Sequence, residues 1–221
     1  MKLTRDLIDR RHPRPVPLEV DRSTDVPDDQ LRLELRNILV NRGCAKQGLH
    51  VFAYGSLIWR PEVPPEGECI GTLYGYHRRF CLHQVRSRGT PESPCLMMAL
   101  DRGGACRSVL HWFSEDGLEE KIWPIFRREM RGHGYWARFV KVRSGATVHS
   151  ALTFVANRTG PRYLGKLPIA EAAEFLACGC GPRGACAEYL LHTMSALRSR
   201  GIRDVGLQAL ERSVARRLTS G

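Results

Sequence analysis

The order of apolar segments along the chain constrains the fold more than any other sequence feature. From residue 49 onward, short β-like runs come first and helical segments come last, with one helix between the fourth run and the fifth. The runs are LHVFAY, CIGTLYGYHRRFCL, CLMMAL, CRSVLHWF, YWARFVKV and HSALTFVA. Apolar residues recur at helical spacing over about 168–177, 185–200 and 204–218. Strands followed by helices predict a mixed α+β domain around a small sheet or barrel.

Residues 1–48 differ from the rest of the chain in composition. The stretch RRHPRPVPLEVDRSTDVPDDQ is rich in proline, arginine and aspartate, and the only helix-like segment in this region runs from Asp28 to Gly43. We therefore predict an N-terminal extension over 1–48 that packs on a domain occupying 49–221. A chain of 221 residues that is 43% hydrophobic can bury a core without needing a metal or a disulfide.

Charge and hydropathy limit the possible partners. The formal net charge is +11, but the arginines are spread along the chain instead of alternating with aromatics in one block, so the pattern does not favour a nucleic-acid partner. A basic balance also suits an anionic small substrate. No run approaches the roughly 18 apolar residues of a membrane helix, and the N-terminus has no signal-peptide core. We predict a cytoplasmic protein with no membrane partner, and the oligomeric state stays open.

The cysteines have no repeating spacing, and several lie in apolar stretches where a thiol serves as a small hydrophobe. They are Cys44, Cys69, Cys81, Cys95, Cys106, Cys178, Cys180 and Cys186. We interpret all of them as reduced thiols. The alternative is a metal site formed by Cys178, Cys180, Cys186 and His192, which would make the chain a metal-stabilised binding module. Only one residue separates Cys178 from Cys180, which is shorter than zinc sites prefer.

The helix between the fourth and fifth β-like runs carries a carboxylate on its apolar face. It is predicted over 114–132. At about 100° per residue, Glu129 falls about 20° from Ile122, whereas Arg127 and Arg128 fall outside the apolar stripe and are expected to be solvated. A carboxylate directed at a core is costly unless it is paired or protonated. Two interpretations remain: a buried structural ion pair, or a general base whose pKa burial has raised.

A glycine interrupts the first β-like run in the segment VFAYGSLIW. Gly55 and Ser56 follow Tyr54, and glycine allows the backbone angles that direct successive N–H groups into one concavity. Such a turn can bind a carboxylate or an oxyanion without a charged side chain. The other interpretation is a plain turn with a buried Tyr54, and a motif this short does not decide between the two.

Together, five segments resemble the ChaC-like γ-glutamylcyclotransferases in order and spacing. They are FAYGSLIW, GYHRRFCL, SRGTPESP, RREM and GPRGACAEYL. The resemblance extends from about Leu49 to the end of the chain, and the SL after Tyr54-Gly55, with RGTPE downstream, is similar to the glutathione-specific branch. It implies a γ-glutamylcyclotransferase-like fold, a small mixed β-barrel flanked by helices.

The resemblance also implies a reaction. The α-amine of a γ-glutamyl group attacks its own γ-carbonyl, so that glutathione yields 5-oxoproline and cysteinylglycine without a cofactor. Glu129 would act as the general base and then as the acid. The segment formed by Tyr54, Gly55, Ser56 and Leu57 would hold the developing oxyanion or the α-carboxylate.

Two further substrate contacts come from matched positions. Tyr189 matches a family position that faces the substrate pocket, although a tyrosine at helical spacing is also typical of a core. Arg88 would pair with a carboxylate of glutathione. Tyr135 and Tyr163 are weaker candidates.

The chain departs from the family pattern at Cys95 and Ser108, which stand where glycines are usual. Losing a glycine can alter a turn or the approach of the backbone to a substrate. A cyclotransferase acting on other γ-glutamyl amines or peptides therefore stays open as an alternative. The second alternative is a basic or metal-binding module without catalytic activity.

Overall fold

The computed structural model describes residues 1–13, 22–43 and 47–220. The chain divides into two compact units. The barrel unit comprises Ser23–Arg78 and Ala99–Gly160, and the helical unit comprises Met1–Arg22, Arg79–Met98 and Pro161–Gly221. Cys44, which we predicted to be a reduced thiol, and residues 14–21 of the proline- and arginine-rich stretch lie outside the described residues. The domain boundary after residue 48 stays a prediction.

In chain order, the elements are α1 (Arg5–Arg11), α2 (Asp28–Val40), β1 (Leu49–Ala53), a 3₁₀ turn (Ser56–Ile58), β2 (Gly67–Gln84), β3 (Cys95–Phe113), α3 (Leu118–Met130), β4 (Tyr135–Ser144), β5 (Thr147–Ala156), α4 (Ile169–Cys178), β6 (Cys180–Gly181), β7 (Gly184–Ala185), α5 (Cys186–Ser199) and α6 (Val205–Ser220). Strands β2 and β3 each contribute residues to both units. No helix within the described ranges is long and apolar enough to cross a membrane.

A closed barrel forms in the strand order β1-β3-β2-β4-β5. β1 and β3 are antiparallel, with Leu49 opposite Phe113, and β4 and β5 are also antiparallel along their length. β1 runs parallel to β5, with His50 opposite Ala151, and this pairing closes the barrel. The prediction of a mixed α+β fold with a small barrel flanked by helices is confirmed.

Aromatic side chains fill the core of the barrel unit. Phe52, Phe113 and Phe154 come from three different strands and are fully buried, and Phe126 of α3 is buried with them. The rings of Phe126 and Phe154 meet edge to face, with their centroids 6.2 Å apart. Removing such a side chain from water contributes roughly 1.5–3 kcal/mol. The apolar face of α3 is therefore fixed by packing, which also fixes the angular position of every other Cα on that helix.

Two runs that the sequence predicts as separate strands form one strand in the structure. The runs CLMMAL and CRSVLHWF are both parts of β3, because the chain between them stays extended. Gly103 and Gly104 have φ values of 98° and 68°, which glycine adopts without strain. Pairing continues on both sides of them, with Leu100 opposite Val155 and Val109 opposite Ala53. The glycine pair redirects the strand without ending it.

The N-terminal region contains a helix that the sequence analysis missed, so the prediction of a single helix before residue 49 is wrong. In α1, the Thr4 hydroxyl caps the helix by accepting the Leu7 N–H at 3.3 Å. Ile8 is buried, and it provides the only fully buried side chain within α1. A seven-residue helix with so few apolar residues shows no periodicity in the sequence, so packing must stabilise it.

The helical unit confirms the three predicted C-terminal helices, which are α4, α5 and α6. It also contains a disulfide between Cys95 and Cys186, so the interpretation of these two cysteines as reduced thiols is wrong. The partners are 91 residues apart in sequence, and the fold brings the start of β3 to the start of α5. A pairing over that distance leaves no spacing signal.

The disulfide also removes Cys186 from the alternative metal site with Cys178, Cys180 and His192. Across residues 1–13, 22–43 and 47–220, no group of three or more histidine, cysteine or acidic side chains is arranged to hold a metal ion.

Selective alkylation tests the disulfide. We expect Cys95 and Cys186 to stay unlabelled under denaturing, non-reducing conditions and to become labelled after reduction, as measured by peptide mass spectrometry. Because the bond closes a long loop, its reduction is expected to lower the free energy of unfolding by about 3–5 kcal/mol. Labelling of both thiols without reductant would contradict the assignment.

Candidate functional site

The chain leaves β1 through Tyr54 and turns at once into the 3₁₀ segment. The carbonyl of Gly55 accepts the N–H of Ile58 at 3.0 Å, and the carbonyl of Ser56 accepts the N–H of Trp59 at 3.1 Å. The amides at the start of such a turn have no acceptor within the turn itself. N–H groups of this kind are one way in which a backbone turn binds an anion.

Tyr54 anchors this turn on the barrel. Its side chain is buried, and its hydroxyl donates a hydrogen bond to the carbonyl of Phe154 at 2.7 Å. Its own carbonyl accepts a hydrogen bond from Nε of Arg78 at 2.6 Å. The structure shows the buried Tyr54 that the plain-turn interpretation expects, and anion binding by the turn stays a prediction.

Arg78 is a residue that the sequence analysis did not single out. It is buried, and besides the Tyr54 carbonyl its guanidinium donates to the carbonyl of Arg107 at 2.9 Å. It therefore fixes the carbonyl from which the turn begins. One sequence signal could have pointed to Arg78, because it lies within the β-like segment GYHRRFCL. Arginine is seldom buried in a strand unless it has partners.

Glu129 lies on the buried side of α3, as the helical angle predicts. Ile125, Phe126 and Met130 around it are buried, and only 13% of the Glu129 side chain is exposed. Burial raises the pKa of the carboxyl above its ordinary value of 4.5, the charge of Glu62 raises it further, and the positive charges of neighbouring arginines oppose the increase.

The helix itself starts later than predicted. It begins at Leu118, and Gly117 occupies the N-cap with a φ of 59°. Pro124 lies within the helix, which stays continuous to Met130. The angular relation between Ile122 and Glu129 therefore holds.

Arg128 is not solvated, and the prediction that it would be is wrong. Its side chain is 20% exposed and contacts both the turn and the carboxylate. One Nη donates to the hydroxyl of Ser56, and the other donates to the Arg60 carbonyl at 2.8 Å and to Glu62 at 2.6 Å. Its Nε lies 3.4 Å from a carboxylate oxygen of Glu129. A long side chain rooted outside the apolar stripe can reach back across the helix surface, which a helical angle does not show.

The barrel unit thus brings together the turn and Glu129, with Arg128 between them. The ion pair that we considered as the structural alternative exists, yet burial outweighs it in setting the pKa of Glu129. A carboxylate with a raised pKa is a stronger base than an ordinary one, and a group of this kind can accept a proton and later return it. The arrangement can therefore carry out proton transfer beside a turn suited to an anion.

The two remaining candidates belong to the helical unit. Arg88 donates to the Ala185 carbonyl at 2.8 Å and to Glu188 at 3.0 Å. Tyr189, on α5, is buried, and its ring meets Phe80 edge to face at 5.9 Å. Each has a structural partner within its own unit. Of the weaker candidates, Tyr163 forms a β-bridge with Leu82, and Tyr135 opens β4.

The two departures from the family pattern both have structural roles. Cys95 forms the disulfide with Cys186. Ser108 is fully buried, and its hydroxyl donates to the carbonyl of Ala53, the last residue of β1 before the turn. The side chain that replaces a glycine here is satisfied by a hydrogen bond and holds the end of β1.

Comparison with known proteins identifies the family. The family model described as "ChaC-like protein" matches residues 49–217, and the chain belongs to this family. The match begins at the first strand of the barrel and includes both the turn and Glu129.

Curated relatives in this family are enzymes. Glutathione-specific γ-glutamylcyclotransferase of Escherichia coli is 34% identical over 171 residues, which cover 76% of this chain and 73% of that protein. The human glutathione-specific γ-glutamylcyclotransferase 1 is 32% identical over 151 residues, covering 66% of this chain and 68% of that protein. A crystal structure of a glutathione-specific γ-glutamyl cyclotransferase from yeast superimposes with a TM-score of 0.70 at 20% identity, covering 77% of this chain and 96% of that chain, and supports the fold.

The raised pKa of Glu129 gives the stability a defined dependence on pH. A carboxyl whose pKa is raised on folding stabilises the fold below its unfolded value of 4.5, and that contribution is lost as the pH rises through the folded value. We expect Glu129→Gln to gain stability relative to the wild type as the pH rises from 4.5 to 8, by about 1.4 kcal/mol per unit of pKa shift. Urea unfolding at several pH values measures this difference.

Glu171→Gln is the matched control, because Glu171 is exposed on α4. The difference in free energy of unfolding between Glu171→Gln and the wild type should change by no more than about 0.5 kcal/mol between pH 4.5 and 8. If the stability of Glu129→Gln relative to the wild type changed as little with pH as that of Glu171→Gln, folding would leave the pKa of Glu129 unchanged.

Proposed function

We propose that this protein is a γ-glutamylcyclotransferase that cleaves glutathione, with Glu129 as the general base and acid. The observation that carries the proposal is the pairing of a buried carboxylate with a glycine turn, joined by Arg128. The names of the curated relatives supply the substrate. The proposed catalytic domain is 49–221, which contains both features.

In the proposed reaction, Glu129 takes a proton from the α-ammonium of the γ-glutamyl group. The freed amine attacks the γ-carbonyl carbon of the same group and closes a five-membered ring. The bond from that carbon to the cysteine nitrogen then breaks, and Glu129 returns its proton to the departing nitrogen. The ring nitrogen loses its second proton, which ends on the amine of cysteinylglycine as the ammonium. The products are 5-oxoproline and cysteinylglycine. Their atoms sum to those of glutathione, so the reaction consumes neither water nor a redox equivalent.

Charge develops on the γ-carbonyl oxygen while the ring closes. Backbone N–H groups at Tyr54, Gly55, Ser56 and Leu57 are the proposed donors to this oxygen or to the α-carboxylate. Donors of this kind act most strongly when the surroundings fix their direction before the substrate arrives. The hydrogen bonds of Tyr54 to Phe154 and Arg78 support this assignment, because they hold the turn on the barrel.

The environment of Glu129 suits both proton transfers. A base needs a pKa close to the working pH, and burial moves the Glu129 pKa upward from 4.5. The cation of Arg128 opposes this shift and so favours the ionised carboxylate, which is the form that can act as a base. The two effects together give a group that both accepts and returns a proton.

Arg88 and Tyr189 remain proposed substrate contacts on the strength of their matched motifs. A guanidinium has five N–H donors, which exceeds the two contacts that Arg88 makes with Ala185 and Glu188. The net charge of +11 would favour the approach of an anionic substrate. The proposed location is the cytoplasm, where glutathione is found; there the Cys95–Cys186 disulfide would be an exception, because glutathione keeps most cytosolic thiols reduced.

The test of the proposal is turnover by purified protein. We expect reduced glutathione to yield 5-oxoproline and cysteinylglycine in equal amounts, as measured by mass spectrometry. Glu129→Gln should keep the fold but lower turnover by a factor of roughly 10²–10⁴, because the amide neither accepts nor returns the proton. Glu171→Gln should retain full turnover.

γ-Glutamylalanine, assayed in parallel, defines the substrate class. Product from this compound at a rate equal to that from glutathione would favour a cyclotransferase with broader specificity. Full activity of Glu129→Gln would locate the base elsewhere. No product from either compound would overturn the proposal.

A further inference from the structure

Helix α2 lies along α3, the helix that carries Glu129, and charged pairs join the two helices. Nε of Arg127 lies 2.8 Å from Asp28 at the start of α2. One turn further along α2, Arg32 pairs with Glu120 at 2.9 Å. After another turn, Arg36 pairs with Glu119 at 2.8 Å. The pairs run in opposite directions along the two helices, so α2 and α3 are antiparallel.

Apolar and aromatic contacts accompany these charged pairs. Leu31, Leu35 and Leu39 occupy one face of α2 at four-residue spacing, and all three are buried. The guanidinium of Arg32 also lies over the ring of Trp123 on α3, 4.3 Å from its centroid. Cation–π contact of this kind adds to the attraction between opposite charges.

Backbone and side-chain contacts also extend to both ends of α3. Just before α2, the N–H of Val26 donates to the carbonyl of Arg131, the residue that caps α3. Just after α2, Arg42 pairs with Glu115, which precedes α3. The segment 26–42, which we call the brace, thus contacts α3 at its start, along its length and at its end.

We propose that the brace is a positioning element that holds Glu129 and Arg128 in their working arrangement. This inference rests on the proposed role of Glu129. Arg127 and Arg131 lie on either side of the pair in sequence, so the brace fixes the last turn of α3 at two points. The brace also lies outside residues 49–217, the part of the chain that the family model matches. Its contribution is therefore an addition to the family domain.

The energetics decide which variant is informative. A single exposed ion pair contributes little, so its simple removal is a weak test. A reversed charge replaces the Arg127–Asp28 attraction, made at 2.8 Å, with repulsion between two like charges and so weakens the contact between the helices. The double reversal restores an opposite pair in the same place.

The experiment compares Arg127→Asp, Asp28→Arg and the double variant in the full chain. We expect each single variant to lower kcat for glutathione about tenfold while KM stays within about twofold, because a displaced base affects the chemical step more than binding. The pKa of Glu129, followed by carboxyl carbon NMR and assigned with Glu129→Gln, should fall toward 4.5 as water reaches the side chain. The double variant should recover both quantities.

Arg217→Asp is the matched control. Arg217 pairs with Glu174 between α6 and α4, and the two side chains are 39% and 53% exposed, against 44% and 55% for Arg127 and Asp28. This variant should leave kcat and the pKa of Glu129 unchanged. If a charge-reversed single variant does not fold, Arg127→Gln and Asp28→Asn replace the reversals, and a smaller loss of kcat together with a smaller fall in the pKa of Glu129 is expected.

Two results would overturn the proposed role of the brace. The first is single variants in which kcat and the pKa of Glu129 are unchanged, and the second is a loss of kcat or a fall in pKa that the double variant does not restore. Failure of the proposed function has a different signature. In that case wild-type protein would form no 5-oxoproline, while the NMR titration would still report whether the brace controls the surroundings of Glu129.

Discussion

The burial of one carboxylate on α3 is the constraint on which the candidate site depends. Glu129 sits among buried apolar residues because the same helix face must cover the barrel, and Phe126 fixes that face by packing on Phe154. Water is largely excluded from the carboxylate, so its pKa rises, while Arg128 prevents it from being an isolated buried charge. Packing and proton chemistry are thus properties of the same helix surface.

Arg128 links the parts of the candidate site to one another. It contacts Ser56 in the turn, Glu62 after the turn and Glu129 on its own helix, so movement of α3 would disturb the turn and the carboxylate together. The turn is held from the other side by Tyr54, whose hydroxyl and carbonyl are both hydrogen-bonded within the barrel unit. Donors and base are therefore positioned by one connected set of contacts, which is the condition under which fixed dipoles stabilise developing charge.

The parts of the fold that sequence could predict are those with local signals. The face of α3 that carries Glu129 follows from helical spacing, and the barrel strands follow from apolar runs and the family resemblance. Arg128 was misjudged because a helical angle locates the Cα and not the end of a long side chain. The Cys95–Cys186 pairing spans 91 residues, and α1 depends on packing, so neither leaves a local pattern. The runs CLMMAL and CRSVLHWF were predicted as two strands, but they form one strand because pairing continues on both sides of the glycine pair between them.

A crystal structure with 5-oxoproline bound tests the central claim most directly, because this product retains the nitrogen and the carbonyl between which the proposed ring closure occurs. The account predicts the ring nitrogen within about 3 Å of a Glu129 carboxylate oxygen, and the carbonyl or carboxylate of the product on the N–H groups of 54–57. Product bound away from Glu129, with ordered density and no contact to the turn, would contradict the assignment of both the base and the anion-binding turn.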